Sequence, residues 1–204
     1  MISQKSMIRV ISLDLQLNFH LLLKQYLKEA PILINDAIKL RPINPLKDAE
    51  AFYQLSKEIS LDYWAYMNPI LTIDEAAAYL LGCRDNNKIM VWAIELLDHQ
   101  DWIGIVWLMP ENEGTQGDIR VRILQPYQKA YFNQIMNLIV QFSFHELSLT
   151  RLHTKQWKKN IYAVNALKQY GFKEIEEKEI YSEKYAIVEK VGVFTLNRGL
   201  RLVK

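Results

Sequence analysis

The chain has 204 residues, of which 50% are hydrophobic and 24% are charged, a composition that excludes general disorder and a length that suits one domain with a short extension. Lysine and arginine number 25 against 23 acidic residues, so the net charge of +2 provides no global field for nucleic acid. The longest charge-free apolar stretch, residues 130–144, is too short to span a membrane. The single cysteine, Cys83, excludes an intramolecular disulfide and is expected to be a packed thiol rather than a nucleophile. We therefore expect a cytoplasmic protein that binds neither nucleic acid nor membrane.

Residues 1–36 are predicted to form a mostly helical N-terminal extension. Polar residues such as Asp14 interrupt its apolar run, which argues against a secretory signal. Alternation in this run would also suit a strand, but the leucines at 21–23 favour a helix over residues 6–29, and Pro31 should end it. An apolar stripe of this length needs cover, so we expect it to pack on the domain or on a second copy of the chain, as a homodimer would allow.

Residues 37–204 are predicted to form one α/β domain. Thr72 and Glu75 have the spacing of a capping box, and Gly171 suits a left-handed helix end. The order of elements indicates a mixed sheet. The predicted elements are a strand at 38–43, helices at 47–59 and 73–83, a hairpin of strands at 88–96 and 102–108, a loop at 110–117, a strand at 118–124, a helix at 131–146, a strand at 151–156, a helix at 161–169, and strands at 172–181 and 186–196.

Several short motifs resemble the GNAT superfamily of acetyl-coenzyme A-dependent N-acetyltransferases. An opening strand that ends in Arg41-Pro42 precedes a helix with Asp48, and Asn160 is followed eleven positions later by Gly171-Phe172. The likeness covers residues 37–200 and looks closest to the branch that acetylates N-terminal amines of ribosomal proteins. It implies a mostly antiparallel GNAT-like sheet flanked by helices. It also implies acetyl-CoA as co-substrate, and direct attack on the thioester by a primary amine of a protein N-terminus or a small molecule.

The resemblance implies a phosphate-binding loop at residues 125–130. A strand that turns into a helix directs main-chain N–H groups and the helix dipole at one point, which suits a pyrophosphate. Gln128 stands where the family has a glycine, so its side chain is expected to crowd a phosphate; an ordinary connection without ligand is the alternative. The residues expected to hold the coenzyme are Ile123 or Leu124, through a main-chain N–H on the thioester carbonyl, with Gln125, Gln128, Lys129, Ala130, Tyr131, Lys159 and Asn160.

Amide formation from a thioester is helped by a base that takes the proton of the amine. Asp118, at the start of the strand before the loop, is the first candidate, with a strand-edge carboxylate as the alternative; Glu95 is the second candidate. An aromatic segment after the first domain helix is expected to border the acceptor, although core packing would explain it as well. Its members are Tyr63, Trp64 and Tyr66. No metal site is predicted.

The positions at which relatives carry a general acid are Ala163 and Leu167, and neither can donate a proton. Together with the missing loop glycine, this supports a second hypothesis, in which the protein is a catalytically inactive GNAT-fold binding or assembly protein.

Overall fold

The computed structural model describes residues 21–58, 70–111, 115–182 and 187–199. The helices are α1 at residues 21–28, α2 (Pro45–Lys57), α3 (Ile73–Arg84), α4 (Gln125–Gln141), which continues as a π-helical turn (Phe142–Glu146), and α5 (Ile161–Tyr170). The strands are β1 (Leu33–Ile34), β2 (Ile38–Pro42), β3 (Met90–Leu96), β4 (Trp102–Glu111), β5 (Gln116–Ile123), β6 (Arg151–Trp157), β7 (Lys173–Ser182) and β8 (Ile187–Asn197). None of the helices in these ranges is both long and apolar enough to cross a bilayer.

The strands form one eight-stranded sheet in the order β1-β2-β3-β4-β5-β6-β8-β7. Neighbouring strands are antiparallel except for β5 and β6, which are parallel and are joined through α4. The predicted mixed, mostly antiparallel sheet flanked by helices is confirmed. The parallel pair places the carboxyl end of β5 beside α4, where open α/β sheets bind ligands.

Each face of the sheet has its own apolar core. Trp92, Phe194 and Ile139 belong to the core under α4 and α5, and Phe52, Leu80 and Trp107 belong to the core under α2 and α3. Residues alternate between these faces along β5, because Ile119 and Ile123 join the first core while their neighbours face α2 and α3. The face of each β5 side chain is therefore fixed by its position in the strand.

The helix ends follow from local hydrogen bonds. The side chains of Asn44, Thr72 and Asn160 accept from main-chain N–H groups of the first turns of α2, α3 and α5. Gly171 ends α5 with φ 116°, a left-handed conformation that favours glycine. These signals explain why the predicted bounds of α3 and α5 lie within one residue of the observed ones.

Two predicted boundaries differ most from the structure. Within the loop predicted at 110–117, residues 110–111 extend β4 and pair with residues 116–117 of β5, while residues 112–114 lie outside the described residues. Pro110 lies beyond Leu108, the last β4 residue paired with β3, and a sheet tolerates proline where it pairs on one side only. The helix predicted from 131 begins at Gln125, since Pro126 is pre-organised for a first helical turn.

The structure describes part of the predicted N-terminal extension, residues 21–36. Residues 21–28 are helical and then lead into β1, which the sequence did not predict, while residues 1–20 lie outside the described residues. Leu33 pairs with Leu40 of β2, and Tyr26 contacts Phe142 with ring centroids 5.2 Å apart. The expected boundary at 36/37 thus falls between two paired strands.

Candidate active site

A cleft opens where β5 and β6 diverge. The two strands are paired at Gln116–Arg151, Gly117–Leu152 and Asp118–His153, after which β6 remains paired with β8 and β5 remains paired with β4. The space between them has a volume of about 410 Å³. It is lined by Val121, Arg122, Ile123, Gln125, Gln128, Lys129, Phe132, Gln156, Asn160, Tyr162 and Ala163.

The main chain of β5 presents polar groups to this cleft. The N–H of Leu124 donates to the oxygen of Ile103 at 2.9 Å, on the β4 side. Because successive N–H groups of a strand point to opposite edges, the N–H groups of Ile123 and Val121 face the cleft. Of the two predicted carbonyl-polarising residues, Leu124 was wrong because its N–H belongs to the β4 ladder, and Ile123 has the required direction.

The N-terminus of α4 closes one end of the cleft. Its N-cap residue, Leu124, offers no side-chain cap. The main-chain N–H of Gln125 instead donates to both carboxylate oxygens of Glu58 at 3.2 Å. Gln128 donates through Nε2 to the oxygen of Ile123 at 2.9 Å. The Gln128 side chain thus contacts the carboxyl end of β5.

Two cations line the cleft. Lys129 is exposed in the first turn of α4, and Arg122 donates through Nη1 to the oxygen of Val121 at 3.1 Å, at the cleft edge of β5. Burial, and to a smaller extent the charge of Arg120, lowers the pKa of Arg122 to about 10, so it stays protonated at neutral pH. The exposed charge of Lys129 complements an anionic ligand, whereas Arg122 belongs to the side chains of β5 that face α2 and α3.

Asp118 is the last residue of β5 that is paired with β6, and it is not among the residues that line the cleft. Its side chain is 7% exposed, and its Oδ2 accepts from Nη2 of Arg120 at 2.9 Å, whereas its buried Oδ1 has no hydrogen-bond partner within the described chain. Burial raises the pKa of Asp118; Arg120 and His153 oppose this rise and Glu111 adds to it. A buried acceptor without a partner costs about 1–3 kcal/mol.

Glu95 belongs to a different cluster, on β3. Its carboxylate is 5% exposed and pairs with Lys39 at 3.0 Å and with Arg41, which also donates to Asp48 at 2.8 Å. Burial alone would raise the pKa of Glu95, but hydrogen bonds and charges of Arg41 and Lys39 together lower it. Glu95 is not among the cleft-lining residues, and its contacts indicate a structural ion pair.

Comparison with known proteins identifies the family. The sequence profile of the acetyltransferase (GNAT) domain matches residues 38–173, about two thirds of the chain. The chain belongs to the GNAT acetyltransferase family. A search of curated proteins finds no match.

Solved GNAT structures share the fold at low sequence identity. A GCN5-related N-acetyltransferase from Brucella melitensis has a TM-score of 0.72 and 15% identity, over 83% of this chain and 79% of that one. A provisionally assigned ribosomal-protein-serine acetyltransferase from Vibrio cholerae has a TM-score of 0.68 and 17% identity, over 82% and 98%. A spermidine/spermine N-acetyltransferase from the same organism has a TM-score of 0.66 and 18% identity, over 80% and 95%. These neighbours establish the GNAT fold and leave the branch a prediction.

The GNAT cleft contains some of the predicted coenzyme residues and not others. Ile123, Gln125, Gln128, Lys129 and Asn160 line it. The other predicted coenzyme residues are not among those that line the cleft. Leu124 packs against the core under α2 and α3, and Ala130 is exposed. Tyr131 packs beside Tyr127 against the core under α4 and α5, and Lys159 pairs with Glu189 and lies over the Trp157 ring.

The predicted acceptor residues are not described by the structure, and the cleft contains residues that the sequence did not predict. Tyr63, Trp64 and Tyr66 lie outside the described residues. The cleft also includes Val121, Arg122, Phe132, Gln156 and Tyr162, which the sequence analysis did not assign. Alternation with Ile123 could have indicated Val121, but Gln156 and Tyr162 come from β6 and α5 and reach the site only through the topology. Ala163 also lines the GNAT cleft, whereas Leu167 is buried in the α4–α5 core.

Proposed function

We propose that this GNAT protein transfers an acetyl group from acetyl-CoA to a primary amine by direct attack on the thioester. The observation that carries the proposal is the divergence of β5 from β6 after Asp118. It creates a cleft with main-chain donors of β5 along one side and the N-terminus of α4 at one end, and buried Asp118 lies at the position from which the two strands diverge. Family membership implies both acetyl-CoA and an amine acceptor.

The residues present fit a coenzyme A arm. The amide of Gln125 and the dipole of α4 suit a pyrophosphate, with Lys129 adding positive charge. The free edge of β5 offers hydrogen bonds to the amides of an extended pantetheine arm, and the N–H of Ile123 or Val121 would polarise the thioester carbonyl. Asn160 lines the opposite wall, where its side chain caps α5 by accepting from the N–H of Ala163 at 3.0 Å.

Asp118 would act as the base. Its raised pKa improves its match to a protonated amine, and its orphaned Oδ1 can accept that proton directly or through water. Glu95 is held by Lys39 and Arg41, so we propose a structural role for it. Tyr162 contributes a phenol to the cleft and could protonate the departing thiolate, since Ala163 and Leu167 cannot.

The acceptor is proposed to be a primary amine. The neighbours include proteins described as acting on ribosomal-protein serine and on spermidine or spermine, so both a protein N-terminus and a small amine are proposed. We keep Tyr63, Trp64 and Tyr66 as the residues that border this acceptor. A cytoplasmic location and a homodimer covered by residues 1–36 are proposals of the same kind.

The proposal is tested by transfer of label from [¹⁴C]acetyl-CoA to a panel of amines, containing N-terminal serine peptides, spermidine and small aminoalcohols. We expect at least one acceptor to be labelled by the wild type, and Asp118→Asn to label it much more slowly. Leu97→Ala, a change in the β3–β4 turn at the surface, is the matched control and should retain full activity.

A second candidate function is a non-catalytic binding or assembly protein. Two observations favour it: the positions of the family's general acid hold Ala163 and Leu167, and Glu58 and Gln128 already contact the groups expected to bind the coenzyme. Coenzyme binding without transfer to any amine of the panel would select this function.

A further inference from the structure

Glu58 contacts the N-terminus of α4 from the opposite face of the sheet. It follows the last residue of α2, which covers one face of the sheet, whereas Gln125 begins α4 on the other face. The two residues are 67 positions apart, yet both carboxylate oxygens of Glu58 lie 3.2 Å from the main-chain nitrogen of Gln125.

This carboxylate occupies a favourable anion position of α4. The first turn of α4 contains no acidic residue of its own, and Leu124 provides no side-chain cap. A helix N-terminus favours negative charge. Glu58, which is distant in the sequence, provides the negative charge that the first turn of α4 lacks. The contact therefore stabilises the helix end in the absence of a ligand.

A coenzyme phosphate would need the same donor. Pro126 has no N–H, and the N–H of Tyr127 donates to the oxygen of Leu124 at 2.9 Å. Among the first three residues of α4, Gln125 is thus the one whose N–H is directed to an anion from outside the helix. Two anions cannot share this donor, and their charges repel each other at this distance.

We propose that Glu58 is a donor-site residue that competes with the coenzyme's phosphates, so that coenzyme A binds only as the Glu58 carboxylate leaves the amide of Gln125. This inference rests on the proposed function. Glu58 therefore affects donor affinity, because its carboxylate occupies the place at the Gln125 N–H that a phosphate would take and so weakens the binding of phosphate-bearing ligands. Glu58 lies outside the loop that the family resemblance indicates.

Isothermal titration with coenzyme A at low ionic strength tests the inference. Glu58→Gln keeps the shape of the side chain and removes its charge, so we expect it to bind about three- to tenfold more tightly than the wild type, with the gain shrinking as salt is raised. Without ligand the same variant should melt at a lower temperature, because the end of α4 loses its anion. Glu58→Ala repeats the measurement if the first variant folds poorly.

Glu50→Gln is the matched control, since it removes the same charge from an exposed position of the same helix. It should bind coenzyme A as the wild type does. Equal or weaker binding by both Glu58 variants, while the wild type binds, overturns the inference and leaves the proposed function intact. Binding by the Glu58 variants alone supports it, and absence of binding by every protein overturns the proposed function and this inference with it.

Discussion

The side-chain amide of Gln128 and the main-chain oxygen of Ile123 are joined by a hydrogen bond of 2.9 Å at the edge of the cleft between β5 and β6. The sequence predicted that Gln128 would crowd a phosphate, because a glycine is expected at its position. In the structure its amide instead holds a carbonyl of β5. A pantetheine amide that needs this carbonyl as an acceptor would have to displace Gln128.

Replacing Gln128 with alanine should therefore increase coenzyme affinity several-fold. Alanine removes the competing amide and preserves helix propensity, whereas glycine would cost up to about 1 kcal/mol within α4. The lost hydrogen bond should lower the free energy of unfolding by about 1 kcal/mol. Titration calorimetry and urea unfolding measure the two effects. Gln141→Ala, at the far end of the same helix, should leave coenzyme affinity unchanged; a similar gain there would remove Gln128 from the donor site.

The fold was accessible to sequence reasoning because its signals are local. Thr72 and Gly171 fixed helix ends, and the alternation along residues 118–124 fixed which side chains of β5 face each core. The cleft was harder to predict, since Gln156 and Tyr162 line it only because β6 diverges from β5 and leads into α5. The contact between Glu58 and Gln125 also depends on tertiary structure, because no spacing in the sequence relates residues so far apart.

Lys129 should contribute to coenzyme binding through its charge. Lys129→Glu places a negative charge beside the phosphates, so we expect at least about tenfold weaker binding at low ionic strength and a smaller loss at high salt. Lys88→Glu makes the same charge change in the turn before β3. If the two variants weaken coenzyme binding equally, the effect comes from net charge and Lys129 has no specific role.

Arg120 should stabilise the protein mainly when Asp118 is ionised. Removing Arg120 leaves a buried carboxylate without its ion-pair partner, and the raised pKa of Asp118 should rise further. Arg120→Ala should therefore lose about 1 kcal/mol at about pH 7, and the loss should diminish as the pH falls and Asp118 takes up a proton. Thermal unfolding against pH measures this. Arg84→Ala breaks an exposed pair with Asp85 and should lose little stability at any pH. A loss of stability for Arg120→Ala that does not change with pH would contradict the assigned ion pair between Arg120 and Asp118.

Arg41 should be far more important for stability than Lys47, although both contact Glu95. Arg41 is 13% exposed and also pairs with buried Asp48, so Arg41→Ala leaves Asp48 without its ion-pair partner and Glu95 with its lysine partners alone, and should cost about 3–5 kcal/mol. The pKa of Glu95 is lowered in the folded protein, so its contribution is present above its ordinary pKa of about 4.3 and is lost as the pH falls below it. Urea unfolding at about pH 7 and pH 4 should show the larger penalty at the higher pH.

Lys47 is 66% exposed, and Lys47→Ala should cost about 0.5 kcal/mol or less. Comparable losses for Lys47→Ala and Arg41→Ala would show that Glu95 does not depend on the buried pair.

Asp118 should affect catalysis without affecting donor binding. If it is the base, Asp118→Asn should reduce transfer most at a pH above the pKa of Asp118 and below that of the amine, where the carboxylate is ionised and the amine is largely protonated. The dissociation constant of coenzyme A should stay within about twofold of the wild-type value. Initial rates and titrations across the pH range measure both quantities, once an acceptor has been found. An unchanged pH profile would exclude Asp118 from proton transfer.

The central claim, that the cleft between β5 and β6 binds acetyl-CoA, is tested most directly by thermal unfolding with and without the ligand. A ligand at about 100 times its dissociation constant adds roughly 2.7 kcal/mol to the free energy of unfolding, which raises the melting temperature of a domain of this size by roughly 5–10 °C. We predict such a rise for the wild type or, if Glu58 and Gln128 hold the site closed, for Glu58→Gln and Gln128→Ala. No rise for any of the three proteins at millimolar acetyl-CoA would contradict the account.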